Sequence, residues 1–128
     1  GVTVAEELRL GDTRAPLDRQ QLTQAVMNVL LNALQAMPTG GALTVRAEVV
    51  TPSAASGSLA RVTIADSGPG IPPENLDRIF EPYFTTKEGG TGLGLALTRR
   101  IVLEHRGGIR AENAPGGGAR FTMDLPCA

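Results

Sequence analysis

A single cysteine, Cys127, next to the last residue, is the only thiol in this 128-residue chain, which excludes an internal disulfide and a cysteine-rich metal site. The single histidine, His105, excludes a multi-histidine metal centre within the chain. Charge of neither sign is in excess: 12 basic against 13 acidic side chains leave a net charge of -1. That balance offers no basic field to attract nucleic acid or an anionic membrane, so no nucleic-acid partner is expected. No apolar stretch approaches the ~20 residues of a membrane-spanning helix, and the opening residues carry no signal-peptide pattern. Tryptophan is missing and aromatics make up only 3%. The chain opens on Gly1 rather than methionine, and the expectation is a piece of something longer.

What is present suits one globular domain. Hydrophobic residues are 41% and charged residues 20%, and at this length about two-thirds of the unfolded surface is buried. Sixteen glycines and nine prolines punctuate the chain. The glycines cluster rather than scatter, which favours loops where backbone meets a ligand over a flexible linker.

Residues 2–10 (VTVAEELRL) read as a strand and residues 11–17 as a loop. Asp18 stands at an N-cap position before a helical run in which Leu22, Val26, Val29, Ala33 and Met37 form one apolar face, stopped by Pro38, Gly40 and Gly41. Residues 42–50 and 59–65 alternate as two strands of an antiparallel hairpin across the loop 51–58. From Asp66 to Gly94 no long periodic element occurs, only a short helix around Glu74 to Phe80, and such a stretch reads as a lid or binding loop. Leu93 to Arg106 reads as a second helix with Leu93, Leu97, Ile101 and Val102 on its apolar side and Gly107-Gly108 ending it. Strands at Ile109–Asn113 and Ala119–Leu125 follow, joined through Pro115 and three glycines. The expected architecture is an α/β two-layer sandwich: a mixed sheet of about five strands with helices on one face.

Four clusters carry candidate chemistry. Asn28 and Asn32 lie one turn apart on one flank of the first helix. They read either as edge or buried amides satisfying backbone groups, or as neutral oxygen ligands completing a magnesium shell of water and phosphates. Asp66-Ser67-Gly68-Pro69-Gly70-Ile71 follows a strand directly. It reads as a tight turn, or as a carboxylate accepting from an exocyclic amine such as that of adenine, with glycines admitting a flat base. Gly90-Thr91-Gly92-Leu93-Gly94-Leu95 leads into the second helix, either as a plain helix entry or as N–H groups aimed at phosphate oxygens. It is neither a P-loop nor a dinucleotide fingerprint. Phe80-Glu81-Pro82-Tyr83-Phe84-Thr85-Thr86-Lys87 holds three of the four aromatics and the only lysine. The aromatics read as loop anchors, and Lys87 as a surface charge or a partner of terminal phosphates.

In their order, QAVMNVLLNALQAM, DSGPGI, FEPYFTTK and GTGLGLAL closely resemble the N, G1, F and G2 boxes of the sensor histidine kinase ATP-binding domain, of the fold family shared with gyrase, Hsp90 and MutL. The resemblance runs from Asp18 to Pro126 and takes in HRGGIRAEN and FTMDLP. It implies a Bergerat-type site for ATP and magnesium under a mobile lid at about Pro72 to Gly90. Carried over by position, Asn32 would bind magnesium, Asn28 would assist at the phosphates, and Asp66 would hold the adenine amine. Gly68, Gly70 and Ile71 would line the base pocket. Gly92 and Gly94, with Thr91 and Leu93, would wrap the phosphates, Thr86, Lys87, Gly90 and Leu95 would also belong to the cofactor site, and Thr122 would meet the adenine through water.

Hydrolases of this family carry glutamate as the base for water where this chain has Asn28, and a carboxamide cannot abstract that proton. Transfer to a histidine needs no such base, because neutral imidazole is already nucleophilic. His105 reads as a helix C-terminal cation rather than the acceptor. The resemblance therefore implies the catalytic half of a two-component kinase, with the phosphoacceptor and dimerisation domain absent. The expected partners are that domain and a response regulator, and the expected setting is the cytoplasm, as a monomer. A GHKL-type ATPase and a non-catalytic nucleotide sensor are the alternatives. Arg99 and Arg100 either approach phosphates or face water.

Overall fold

The computed structural model describes residues 1–9, 18–55, 57–85 and 92–127. Five strands, β1 (Val2–Arg9), β2 (Gly41–Val50), β3 (Leu59–Asp66), β4 (Gly108–Asn113) and β5 (Ala119–Pro126), form one sheet in the order β1-β2-β3-β5-β4. Helix α1 (Arg19–Gln35) connects β1 to its parallel neighbour β2, and every other pairing is antiparallel. The expected mixed five-strand sheet and the β2–β3 hairpin are therefore both present. Helix α2 (Gly94–Glu104) lies beside α1 on the same face of the sheet.

Asp18 caps α1: its carboxylate accepts from the Gln21 N–H at 3.0 Å. The helix then turns Ala25, Val29 and Ala33 inward, and Met37 follows them into the core. Strand alternation sends Leu43 and Ala47 of β2, Ile64 of β3, and Phe121, Met123 and Leu125 of β5 against that face. Ile79 and Phe80 close the core beyond the sheet, with the Phe80 ring edge-on to Phe121 at 6.1 Å.

Two element predictions need correction. Only Pro73–Asn75 is helical in the stretch 74–80, as one 3₁₀ turn, because Pro72 and Pro73 set an entry with no N-cap side chain. Leu93 just before α2 and Leu97 within it are each 42% exposed, and the buried positions of α2 are Thr98, Ile101 and Val102. Thr98 can enter the core because its hydroxyl donates to the carbonyls of Gly94 and Ala25, at 3.0 and 3.3 Å. After α2 the left-handed residue is Arg106 (φ 62°), and neither Gly107 nor Gly108 supplies it.

The opposite face of the sheet carries ion pairs. Arg61 on β3 meets Asp124 on β5 through two bonds, 2.7 and 3.0 Å, and this pairing raises the Arg61 pKa. Glu112 is held below the ordinary glutamate value by the guanidinium of Arg120, so what that pair contributes is lost as acidification passes the lowered pKa.

Candidate functional site

β3 ends by delivering Asp66 into the interior, where it is 6% exposed. Its Oδ1 accepts from the Gly68 N–H at 2.9 Å and from the Ala119 N–H at 3.2 Å; Oδ2 takes part in neither bond. The second contact joins the end of β3 to the start of β5 and depends on Gly118. That residue has φ +82°, and a Cβ on it would collide with the Asp66 carbonyl oxygen. Ser67 extends the pairing onto β2, its N–H to the Ala42 carbonyl at 3.1 Å and its Oγ accepting from the Ala42 N–H at 2.8 Å. The G1 segment is thus seated by backbone on both sides of Asp66.

Asn113, which the sequence reading passed over, clasps the next stretch. Its Oδ1 accepts from the Ile71 N–H at 2.7 Å and its Nδ2 donates to the Ile71 carbonyl at 2.8 Å. Gly70 lies under the same carboxamide, and a Cβ there would stand 2.7 Å from Asn113 Oδ1. The only signal for it was its place at the end of the segment HRGGIRAEN.

Asn28 reaches from α1 to the first turn of α2. Its Nδ2 donates to the Gly94 carbonyl at 3.1 Å, and its Oδ1 accepts from Gln24 Nε2 at 3.0 Å. Asn32 is half-buried one turn further along the same flank. A cleft of about 850 Å³ opens beside this junction, lined by Gln24, Asn28, Phe80, Leu97 and Arg100 among others. Asp66, Gly68, Gly70 and Ile71 do not line it, so it belongs to the helix junction rather than to the carboxylate end. Arg99 also borders this cleft, and Arg100 pairs with Glu104 at 3.0 Å.

The F segment is stitched to the G2 segment: the Tyr83 N–H donates to the Gly92 carbonyl at 2.9 Å. Gly92 has φ +72°, and a Cβ on it would strike the backbone of Tyr83 and Phe84. Phe80 and Phe84 anchor this loop to the core, Phe84 also under the Arg78 guanidinium at 4.7 Å, while Tyr83 is 77% exposed. Leu95 packs on the core and Leu93 faces outward before it. Thr86, Lys87, Gly90 and Thr91 lie outside the described residues.

Thr122 is not brought to Asp66. It pairs with Thr63 and Arg110, on the sheet face opposite Phe121 and Met123, and the β5 group beside the carboxylate is the Ala119 N–H. His105 bridges two elements: its Nε2 accepts from the Asp18 N–H at 3.0 Å, and its Nδ1 lies 2.8 Å from the Ile101 carbonyl. The imidazole thereby ties the end of α2 to the start of α1.

A buried carboxylate, carboxamides along one helix and a glycine-led helix start are the polar features gathered on this side of the fold. No group of three or more His, Cys, Asp or Glu suited to a metal occurs among the described residues. A divalent ion here would therefore rely on neutral oxygens, water and phosphates. Among the described residues no helix is long and apolar enough to cross a membrane.

Comparison with known proteins agrees with this fold. The chain is 45% identical over 109 residues to the sensor histidine kinase ZraS of Escherichia coli O157:H7, covering 85% of this chain and 22% of that protein. The chain thus spans about a fifth of the length of this curated relative. The mycobacterial sensor histidine kinase MprB superposes with a TM-score of 0.84 at 32% identity, over 98% of this chain and 82% of that one. The histidine kinase ThkA, solved in complex with the response regulator protein TrrA, matches at 0.78 and 31% identity, over 98% of this chain and 34% of that one. The model of the histidine kinase-, DNA gyrase B- and HSP90-like ATPase family matches residues 17–128, and this chain, with its Bergerat α/β fold, belongs to that family.

Proposed function

We propose that this chain is the catalytic domain of a sensor histidine kinase, binding ATP with magnesium and passing the γ-phosphoryl group to a histidine on a separate phosphoacceptor and dimerisation domain. The observation that carries the reading is Asn28. Its nitrogen faces one backbone carbonyl and its oxygen one amide donor, so the position holds no base for activating water. A neutral imidazole acceptor needs none, and the task left to the protein is positioning and charge neutralisation at the phosphates.

The remaining residues fit these roles. Asp66 Oδ2 suits the exocyclic amine of adenine, while Oδ1 stays with the backbone. Gly68, Gly70 and Ile71 border that end, Ile71 held by Asn113 with Gly70 directly beneath the same carboxamide. The first turn of α2 offers N–H groups to phosphates, with Gly92, Leu93, Gly94 and Leu95 shaping the approach. Thr86, Lys87, Gly90 and Thr91 are assigned to the phosphates by resemblance alone, and so is a lid at 72–90. Asn32 is the magnesium ligand in this reading, since one carboxamide oxygen beside water and phosphates meets the needs of that ion. The exposed leucines of α2, Leu93, Leu97 and Leu103, offer the acceptor domain an apolar landing. A response regulator then takes the phosphoryl group from the acceptor histidine, in line with the ThkA–TrrA complex. The reading places the domain in the cytoplasm, as a monomer when isolated.

The test mixes this chain with a separately produced acceptor domain and ATP labelled at the γ-phosphate. Acid-labile label on the acceptor histidine supports the kinase. Steady phosphate release by the chain alone, lost in Asn32→Ala, would establish a hydrolase, and nucleotide binding with neither outcome a sensor.

A further inference from the structure

Gln24 lies one turn before Asn28 on α1 and belongs to none of the four boxes' expected ligands. The Gly94 carbonyl can only accept, so the Asn28 atom facing it, at 3.1 Å, is the amide nitrogen. The Asn28 oxygen is thereby turned the other way, and Gln24 Nε2 donates to it at 3.0 Å. Gln24 opposes a flip of the Asn28 carboxamide, and Asn28 in turn ties α1 to Gly94, the first residue of α2.

Asn28 is half-buried and Gln24 exposed, so Gln24 contributes little to the core. A flipped Asn28 would aim its oxygen at the Gly94 carbonyl, two acceptors facing each other, and Gly94 would lose its hydrogen bond to α1. Thr98 would still hold the Gly94 carbonyl from within α2, at 3.0 Å, and its hydroxyl also reaches the Ala25 carbonyl of α1 at 3.3 Å, but that link joins α1 one turn beyond Gly94. We propose that Gln24 is a positioning residue, which sets the phosphate-facing first turn of α2 through Asn28 and thereby acts on the triphosphate and not on the base. The inference rests on the nucleotide reading above and extends it to a residue with no ligand contact of its own.

The experiment compares the 128-residue chain with Gln24→Met, Asn28→Ala and the double variant, titrating each with adenosine and with a non-hydrolysable ATP analogue plus magnesium. The quantity read is the gain in affinity from adenosine to the triphosphate. In Gln24→Met this gain falls about two- to tenfold, the range for one hydrogen bond, while adenosine binds as before. In the Asn28→Ala background the Gln24 substitution has no further effect. Hydrogen exchange gives a second reading without ligand: Gln24→Met speeds exchange of the amides in the first turn of α2. An unchanged gain, the same fall without Asn28, equal losses for both ligands, or unchanged exchange would each overturn the proposal. A parent chain with no triphosphate gain would overturn the nucleotide reading as well, whereas a parent gain that survives Gln24→Met sinks this inference alone.

Discussion

Replacing Asp66 by asparagine separates the structural oxygen of that side chain from the one assigned to the base. Oδ1 accepts two backbone N–H groups, from Gly68 and Ala119, and an asparagine carbonyl can accept both. The change therefore falls on Oδ2, which becomes an NH₂ donor facing the donor amine of adenine. A hydrogen bond to a charged group contributes about 1.5–3 kcal/mol, so Asp66→Asn should weaken ATP binding about 10- to 100-fold. Guanine presents an acceptor at the same position, so GTP should lose far less or improve. Stability should change little, in contrast to Asp66→Ala, which strands two N–H groups at a 6% exposed position. Calorimetric titration with non-hydrolysable ATP and GTP analogues, beside a urea melt, reads both effects. An ATP-to-GTP preference that stays the same in Asp66→Asn would refute the base-reading role outright.

Asn32→Ala should weaken nucleotide binding with magnesium present and leave it alone after chelation; equal losses in the two conditions would remove Asn32 from the metal. Gly118→Ala forces a side chain at φ +82° against the Asp66 carbonyl oxygen, and should cost about 2–5 kcal/mol in a urea melt together with ATP binding. Asp124→Asn weakens the Arg61 pair on the far face of the sheet and should cost about 1 kcal/mol of stability. Its nucleotide affinity should match the parent; a shift there would show that the far face communicates with the site.

Helix α1 and the strands were legible because their burial follows simple periods: Val29, Ala33 and Met37 recur at helical spacing, and Leu43 and Ala47 at strand alternation. Helix α2 was read by its leucines and misassigned on one side. Thr98 is core because two carbonyls satisfy its hydroxyl, and no hydrophobic pattern shows such a partner in advance. Thr122 was misplaced for a related reason: Phe121 and Met123 are core, so alternation alone turns Thr122 to the other face. His105 and Asn113 were beyond pattern reading. Each acts on backbone groups 87 and 42 residues away in sequence, at Asp18 and Ile71.

The carboxylate of Asp66 and the amide of Ala119 that braces it are separated by 53 residues, and β5 inserts between β3 and β4 rather than at an edge. Closing that span costs more chain entropy than a local turn, so the brace on Asp66 depends on β5 being seated between its neighbours. Without β5 the fold would retain α1 with both asparagines, yet the Asp66 carboxylate would lose the Ala119 N–H that braces it.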